Sequence, residues 1–350
     1  MIPISLCIIT KNEEDRLDKC LGRVKDYPFE IVIVDTGSTD RTIEIAQKYT
    51  DKIYHFDWIS DFAAARNFSI SKATHDWILV LDSDEYVEEL DLDEIYRLIE
   101  ENPKGVGRLL RYSEDNAQMV IVDRVERLFH KDVYHYERPI HEQVLPMDPT
   151  TPYYDYPIPL KVEHDGYVYG EDAIKHKSKR NLDILLASEK DFPDAYTYYQ
   201  IGQCYYIIAD WKNARTYFEK GLSFDLAPES EFVQLMIVNY GYTLLHLDEY
   251  EVAKTFFEQV APYFTFYADF QFFMGYLYFK TENYIKAALM FISATQQQHF
   301  HVNGTNSHLA FYYLGIIQEM LGNKELARTF YEKCGDYEKA KQCLKELDLS

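Results

Sequence analysis

Four short apolar runs, Ile4–Ile9, Ile31–Val34, Ile53–Phe56 and Trp77–Leu81, punctuate the first part of the chain, and helix-like patterns separate them. Leu17, Leu21 and Val24 mark the first of these helices, Ile43, Ile45 and Ala46 the second, and Phe62–Phe68 the third. Ser38 or Thr39 is placed to cap the second helix, after a turn at Gly37, and Ser60 or Asp61 to start the third. Strand and helix thus alternate four times in about 80 residues. That pattern predicts a mostly parallel sheet covered by helices, with ligands at the carboxyl ends of the strands. The polar clusters Thr10–Glu13, Asp35–Asp40 and Asp82–Glu85 each terminate a strand, so they are expected to converge on one rim.

From residue 105 to 170 the pattern changes. Gly107–Tyr112, Gln118–Val122 and Arg127–Phe129 read as shorter, more polar strands, followed by a Pro-rich connector from Pro146 to Pro159. From residue 195 the chain is aromatic and helical, with an internal period. Gly202, Gly241, Gly275 and Gly315 are each followed twelve residues later by Ala214, Ala253, Ala287 and Ala327, and four residues later again by Phe218, Phe257, Phe291 and Tyr331. Small residues let paired helices approach closely and the aromatic fills the groove, which predicts tetratricopeptide-like helix pairs. The chain therefore divides into an α/β domain at 1–185 and an all-α repeat domain at 186–350.

Composition narrows the function. Against 36 Lys plus Arg stand 58 Asp plus Glu, a formal net charge of −22, which argues against a nucleic-acid partner. Apolar runs fall short of the roughly 20 residues that cross a bilayer. The chain opens on a strand rather than on a basic, apolar leader, and its five cysteines lack metal-binding spacing, so a cytoplasmic protein with reduced thiols is expected.

The candidate chemistry is acidic. In an extended backbone Asp82 and Asp84 share a face beyond the fourth strand, a site for a hard divalent cation that keeps waters and bridges substrate phosphates. The turn after the first strand is Thr-Lys-Asn-Glu-Glu, without the glycines of a dinucleotide loop or the lysine of a phosphate loop. Lys175, Lys177, Lys179 and Arg180 form the only dense cationic run, and Lys179 and Arg180 are assigned to diphosphate neutralisation.

Four segments, Ile-Ile-Thr-Lys-Asn-Glu, Ile-Val-Asp-Thr-Gly-Ser-Thr-Asp, Asp-Phe-Ala-Ala-Ala-Arg-Asn and Leu-Asp-Ser-Asp-Glu, resemble in order and spacing the inverting family 2 glycosyltransferases of the GT-A fold. The resemblance implies a GT-A nucleotide-sugar-binding domain over residues 1–185. It implies that Thr10, Glu13 and Asp35 line the nucleoside pocket, that Arg66 and Asn67 lie beside the donor, and that Asp82 faces the ribose or the metal. By the same resemblance Asp84 binds the metal, Mg²⁺ or Mn²⁺, with His164 as a further ligand. An inverting transfer needs one carboxylate to take the acceptor's proton. Glu142, in Arg-Pro-Ile-His-Glu-Gln-Val, is assigned that role. His141-Glu142 stands where the family more widely carries a Glu-Asp pair.

The resulting expectation is a metal-dependent transferase that moves a hexose from a nucleotide diphosphate donor, a UDP-hexose, to a protein or peptide side chain held by the repeats. The repeats could equally join two copies as a homodimer. A cell-envelope saccharide or lipid-linked acceptor, and a non-catalytic peptide-binding scaffold, are the rival readings.

Overall fold

The computed structural model describes residues 2–114, 120–165 and 171–349. The chain divides into two compact units, Met1–Ser188 and Glu189–Ser350.

The first unit runs β1 (Ile4–Thr10), α1 (Leu17–Val24), β2 (Glu30–Asp35), α2 (Thr42–Ala46), β3 (Ile53–His55), α3 (Phe62–Lys72), β4 (Trp77–Val80), β5 (Glu85–Leu90), α4 (Leu92–Glu101), β6 (Val106–Glu114), β7 (Val120–His130), β8 (Tyr134–Glu137), β9 (Gln143–Pro146), β10 (Asp155–His164) and α5 (Glu171–Ser188). Eight strands form one sheet in the order β3-β2-β1-β4-β7-β6-β10-β5, and β8 and β9 pair as a separate hairpin. The pairs β3–β2, β2–β1, β1–β4 and β6–β10 are parallel, whereas β4–β7, β7–β6 and β10–β5 are antiparallel.

The apolar runs are continuous because the sheet is buried on both faces. Leu6, Ile8, Ile33, Leu79 and Leu81 face a core shared with α1, α2 and α4. The alternate residues Cys7, Val32, Ile78 and Val80 face a second core with Ala63 and Ile70 of α3.

Three local expectations change. Neither Ser38 nor Thr39 caps α2: its N-cap position is Arg41, without a side-chain cap, and the preceding Asp40 accepts from the Thr42 N–H at 3.0 Å through Oδ1. The supposed connector holds the first half of β10, and Pro157 and Pro159 fit that strand because its register with β6 breaks between Pro157 and Lys161, where the ladder needs no N–H. Part of the expected Gln118–Val122 strand lies outside the described residues, and its remainder belongs to β7.

Glu30 fastens the amino ends of the strands. It accepts from Ser5 Oγ and Lys52 Nζ, from the Thr74 N–H at 2.8 Å and from Thr74 Oγ1 at 2.6 Å. Burial opposes ionisation, but these donors prevail and draw the carboxyl down to about 2. Because the folded-state value lies below the unfolded one, this contribution is complete above about pH 4.5 and is lost as pH falls towards 2. Glu30→Gln is therefore expected to cost about 1–2 kcal/mol at pH 7 and almost nothing near pH 2, as read from urea midpoints at the two pH values.

The second unit is α6 (Ala195–Ile207), α7 (Trp211–Leu222), α8 (Glu231–His246), α9 (Tyr250–Val260), α10 (Ala268–Lys280), α11 (Tyr284–Thr295), α12 (His308–Met320), α13 (Lys324–Glu332) and α14 (Glu338–Leu349), with a short 3-10 turn at Ala261–Tyr263. Ala214, Ala253, Ala287 and Ala327 are fully buried, and Phe218, Phe257, Phe291 and Tyr331 nearly so. A Cβ on Gly202 would stand 2.6 Å from the Phe218 ring, and one on Gly275 2.8 Å from Phe291. The second repeat departs from this pairing: Gly241 abuts Phe273 of the next pair, whose ring centroid lies 4.5 Å from that of Phe257. Gly202→Ala is expected to destabilise the repeats by about 1–3 kcal/mol through overpacking. That outweighs the gain of up to about 1 kcal/mol in helix propensity. A rise in the urea midpoint of this variant would show that the ring yields instead.

Candidate active site

The sheet switches direction between β1 and β4. From β1 the chain adds β2 and β3 on one side, then crosses through α3 to place β4 on the other, leaving a crevice beyond the carboxyl ends. Thr10 and Asp35 are in register across β1 and β2, and Asp82–Asp84 follow β4 directly, so the acidic tips share one rim.

The loops after β1 and β2 are stitched together. Asn12, in the left-handed region at φ 55°, accepts from the Thr39 N–H at 2.8 Å, while its own N–H donates to Ser38 Oγ at 2.9 Å. The Glu13 N–H donates to Thr42 Oγ1 at 2.8 Å. Asp35 accepts from the N–H groups of Gly37 at 3.0 Å and Ser38 at 3.1 Å, so it shapes this loop and does not line the cavity. Thr10 and Glu13 do line it. The Thr10 Oγ1 is buried without a hydrogen-bond partner, and burial raises the Glu13 carboxyl above its ordinary value against the pull of Arg16.

The cavity measures about 920 Å³. Across its floor runs a ladder of alternating charge. Glu142 Oε1 accepts from Arg66 Nε at 2.9 Å, Arg66 Nη2 donates to Asp82 Oδ1 at 2.7 Å, and Arg127 Nη2 donates to Asp82 Oδ2 at 2.6 Å and to Glu85 Oε1 at 2.8 Å. Burial opposes the charges of Asp82, Arg66 and Arg127. Nevertheless Arg127 and Arg66 hold the Asp82 carboxyl well below the usual carboxylate range, and their guanidiniums are raised in return. Glu85, fully buried, also accepts from the Asp82 N–H at 3.0 Å and fixes the turn.

This geometry corrects the reading of Asp82. Its two oxygens are committed to two arginines, so it orders the floor instead of offering itself as a metal ligand. Asn67 also departs from its expected place beside the donor. Its side chain accepts from the Tyr136 N–H at 2.9 Å and donates to the Tyr136 carbonyl at 2.8 Å, clamping β8 to α3 outside the cavity.

Asp84 and His164 meet as expected, Oδ2 to Nε2 at 3.4 Å. Ser113 Oγ lies 3.0 Å from His164 Nδ1 and fixes the ring, and the Asp165 N–H donates to the Asp84 carbonyl at 3.0 Å. Gly166 and Tyr167, which follow in the same motif, lie outside the described residues. Among the described residues no three His, Cys, Asp or Glu side chains converge. One carboxylate and one oriented imidazole nonetheless fit a cation that completes its shell with phosphate oxygens and water, and suit Mn²⁺ better than Mg²⁺.

Opposite stands α5. His176, Lys177 and Arg180 line the cavity, while Lys179 does not. At 3.6 residues per turn the first three share one stripe of the helix, and 179 falls beyond its edge. Burial lowers the Lys177 ammonium, and the neighbouring Arg180 lowers it further. Glu142 is presented by a strained loop, with Arg138 at φ 74° and His141 at φ 54°. Sequence reading named Lys177 in the cationic run but preferred Lys179, and it gave Arg127 and Glu85 no role in the site. The available signal for Arg127 was an arginine directly before the apolar pair Leu128-Phe129.

Comparisons with known proteins agree with this architecture. Residues 5–151 match the model of glycosyl transferase family 2, and residues 195–228 and 309–347 match tetratricopeptide repeat models. A TPR repeat-containing protein of Synechococcus elongatus is 34% identical over 237 residues, 63% of this chain and 57% of that one. The SPbeta prophage-derived glycosyltransferase SunS of Bacillus subtilis is 32% identical over 195 residues, 52% of this chain and 44% of that one. The chain thus spans about half the length of these relatives. S. aureus TarS 1–349, solved in complex with UDP-GlcNAc, is more distant at 14% identity and a TM-score of 0.39, covering 85% of this chain and 93% of that one. Among the described residues no helix is long and apolar enough to cross a membrane. The amino-terminal unit carries a glycosyl transferase family 2 domain over residues 5–151, and the chain continues into tetratricopeptide repeats.

Proposed function

We propose that the chain is an inverting, cation-dependent glycosyltransferase that moves a hexose from a UDP-sugar to a side-chain hydroxyl or thiol of a protein or peptide. The observation that carries this reading is the single cavity in which Asp84 and His164 stand side by side, with Lys177 and Arg180 on one wall and Glu142 on another. Thr10 Oγ1 and Glu13 are the groups offered to the nucleoside.

In this reaction Glu142 takes the acceptor's proton on Oε2 while Arg66 steadies Oε1. The acceptor oxygen or sulfur attacks the anomeric carbon from the face opposite the diphosphate. The bond to the nucleotide breaks, and its electron pair passes to the terminal phosphate oxygen. Lys177 and Arg180 meet that charge, and Asp84 and His164 would hold the Mn²⁺ or Mg²⁺. When bound, the cation supplies further neutralisation of the leaving diphosphate. Tetratricopeptide arrays present concave surfaces to extended peptides, which supports a protein or peptide acceptor. Five cysteines without disulfides suit a cytoplasmic setting, which is part of the proposal.

Nucleotide release from a panel of UDP-sugars, with Mn²⁺ or with chelator, tests this reading. Slow cation-dependent release from one donor is expected. Absence of release from every donor, with cation and with peptide acceptors, would overturn it.

A further inference from the structure

The cavity is chemically lopsided. Its donor wall is charged, but beside Glu142 the lining turns apolar, with Trp58, Phe62 and Ile140. Trp58 and Phe62 meet edge to face, their centroids 4.7 Å apart and their planes at 66°. This makes a corner rather than a flat platform. The corner is fastened to the loop that carries Glu142, because the Phe62 N–H donates to the Pro139 carbonyl at 2.8 Å. Its own segment is strained at Ser60, at φ 62°, and exposes Ile59 at 62%. The Arg180 guanidinium lies 5.5 Å from the Phe62 ring centroid, where the corner meets the charged wall. Next to Trp58 the Asp57 carboxylate is almost fully exposed.

We infer that Trp58 and Phe62 form an acceptor subsite that receives an apolar side chain neighbouring the reacting Ser, Thr or Cys of a peptide. The inference rests on the glycosyltransferase reading of the same cavity. A corner between two rings admits an aliphatic or aromatic knob from several sides, whereas a sugar ring stacks best on one open face. Position supports the assignment, since whatever Glu142 deprotonates must lie beside this corner. Charge does not set the preference: Asp57 lies 3.1 Å from His55 Nε2 and outside the cavity lining, and Arg180 stands beside Phe62, so the selectivity rests on the two rings.

Calorimetric titration of the full chain tests the inference without requiring turnover. The probes are tetrapeptides carrying Ser flanked by Leu, Phe, Gly or Asp, with cellotriose as the saccharide. Leu and Phe peptides are expected to bind about tenfold more tightly than either the Gly or the Asp peptide. Trp58→Ala should erase the preference and Trp58→Phe should retain most of it, with thermal melts verifying that both variants fold. Equal affinity for all four peptides, or binding of cellotriose in preference to them, would overturn the subsite. A parallel thermal-shift screen of nucleotide sugars separates the two layers: peptide preference without any donor shift leaves the corner standing and removes the transferase reading.

Discussion

Asp84→Ala is expected to lower kcat/KM for sugar transfer roughly a thousandfold while leaving the fold intact, because in the proposed reaction its carboxylate would hold the cation that neutralises the leaving diphosphate. The Asp84 side chain is 22% exposed and pairs only loosely with His164, so its loss strands no buried charge. Asp82→Ala should behave differently although it lies two residues away. It leaves the buried guanidiniums of Arg66 and Arg127 without their shared carboxylate, a loss on the order of 3–5 kcal/mol of stability. Transfer kinetics and urea unfolding of both variants check the contrast. If Asp82→Ala is the stable, inactive protein and Asp84→Ala the unstable one, the division of labour drawn from the geometry is inverted.

Glu142→Gln is the second large effect. Gln keeps an oxygen for the Arg66 Nε–H, so the loop and the ladder should hold, but the amide accepts no proton from the acceptor. Turnover is expected to fall by about 10²–10⁴-fold with the donor KM nearly unchanged. The measurement is initial-rate kinetics at saturating acceptor. Unchanged turnover would assign the proton to another group.

Much of this site was legible along the chain because its parts are local. β1, β2 and β4 announce themselves as runs buried on both faces, and the polar cluster that ends each must lie at the carboxyl rim. Thr10, Glu13, Asp84, His164 and Glu142 followed from that logic and from family resemblance, and one cavity brings them together. What could not be read was which acids would be consumed by partners. Arg66 reaches Glu142 across 76 positions and Arg127 reaches Asp82 across 45, and no spacing rule signals such contacts. Asp82 and Asp84 carry the same side chain, yet the two arginines alone decide that one builds the floor and the other faces the ligand. Lys177 was passed over for Lys179 because a dense cationic run hides helical phase until the helix ends are known. The repeats were more transparent, since glycine and aromatic recur at fixed offsets. Even there Gly241 packs against the next pair and not within its own.

The central claim is that Asp84 and His164 grip a cation on a nucleotide diphosphate while Asp82 stays with its arginines. An anomalous difference map from crystals of the full chain grown with Mn²⁺ and UDP tests it most directly. The account predicts one manganese peak in contact with the Asp84 carboxylate, His164 Nε2 and the diphosphate, with the Asp82 contacts to Arg66 and Arg127 unbroken. A manganese held by Asp82 with those arginines displaced, or UDP bound without any peak beside Asp84, would contradict it.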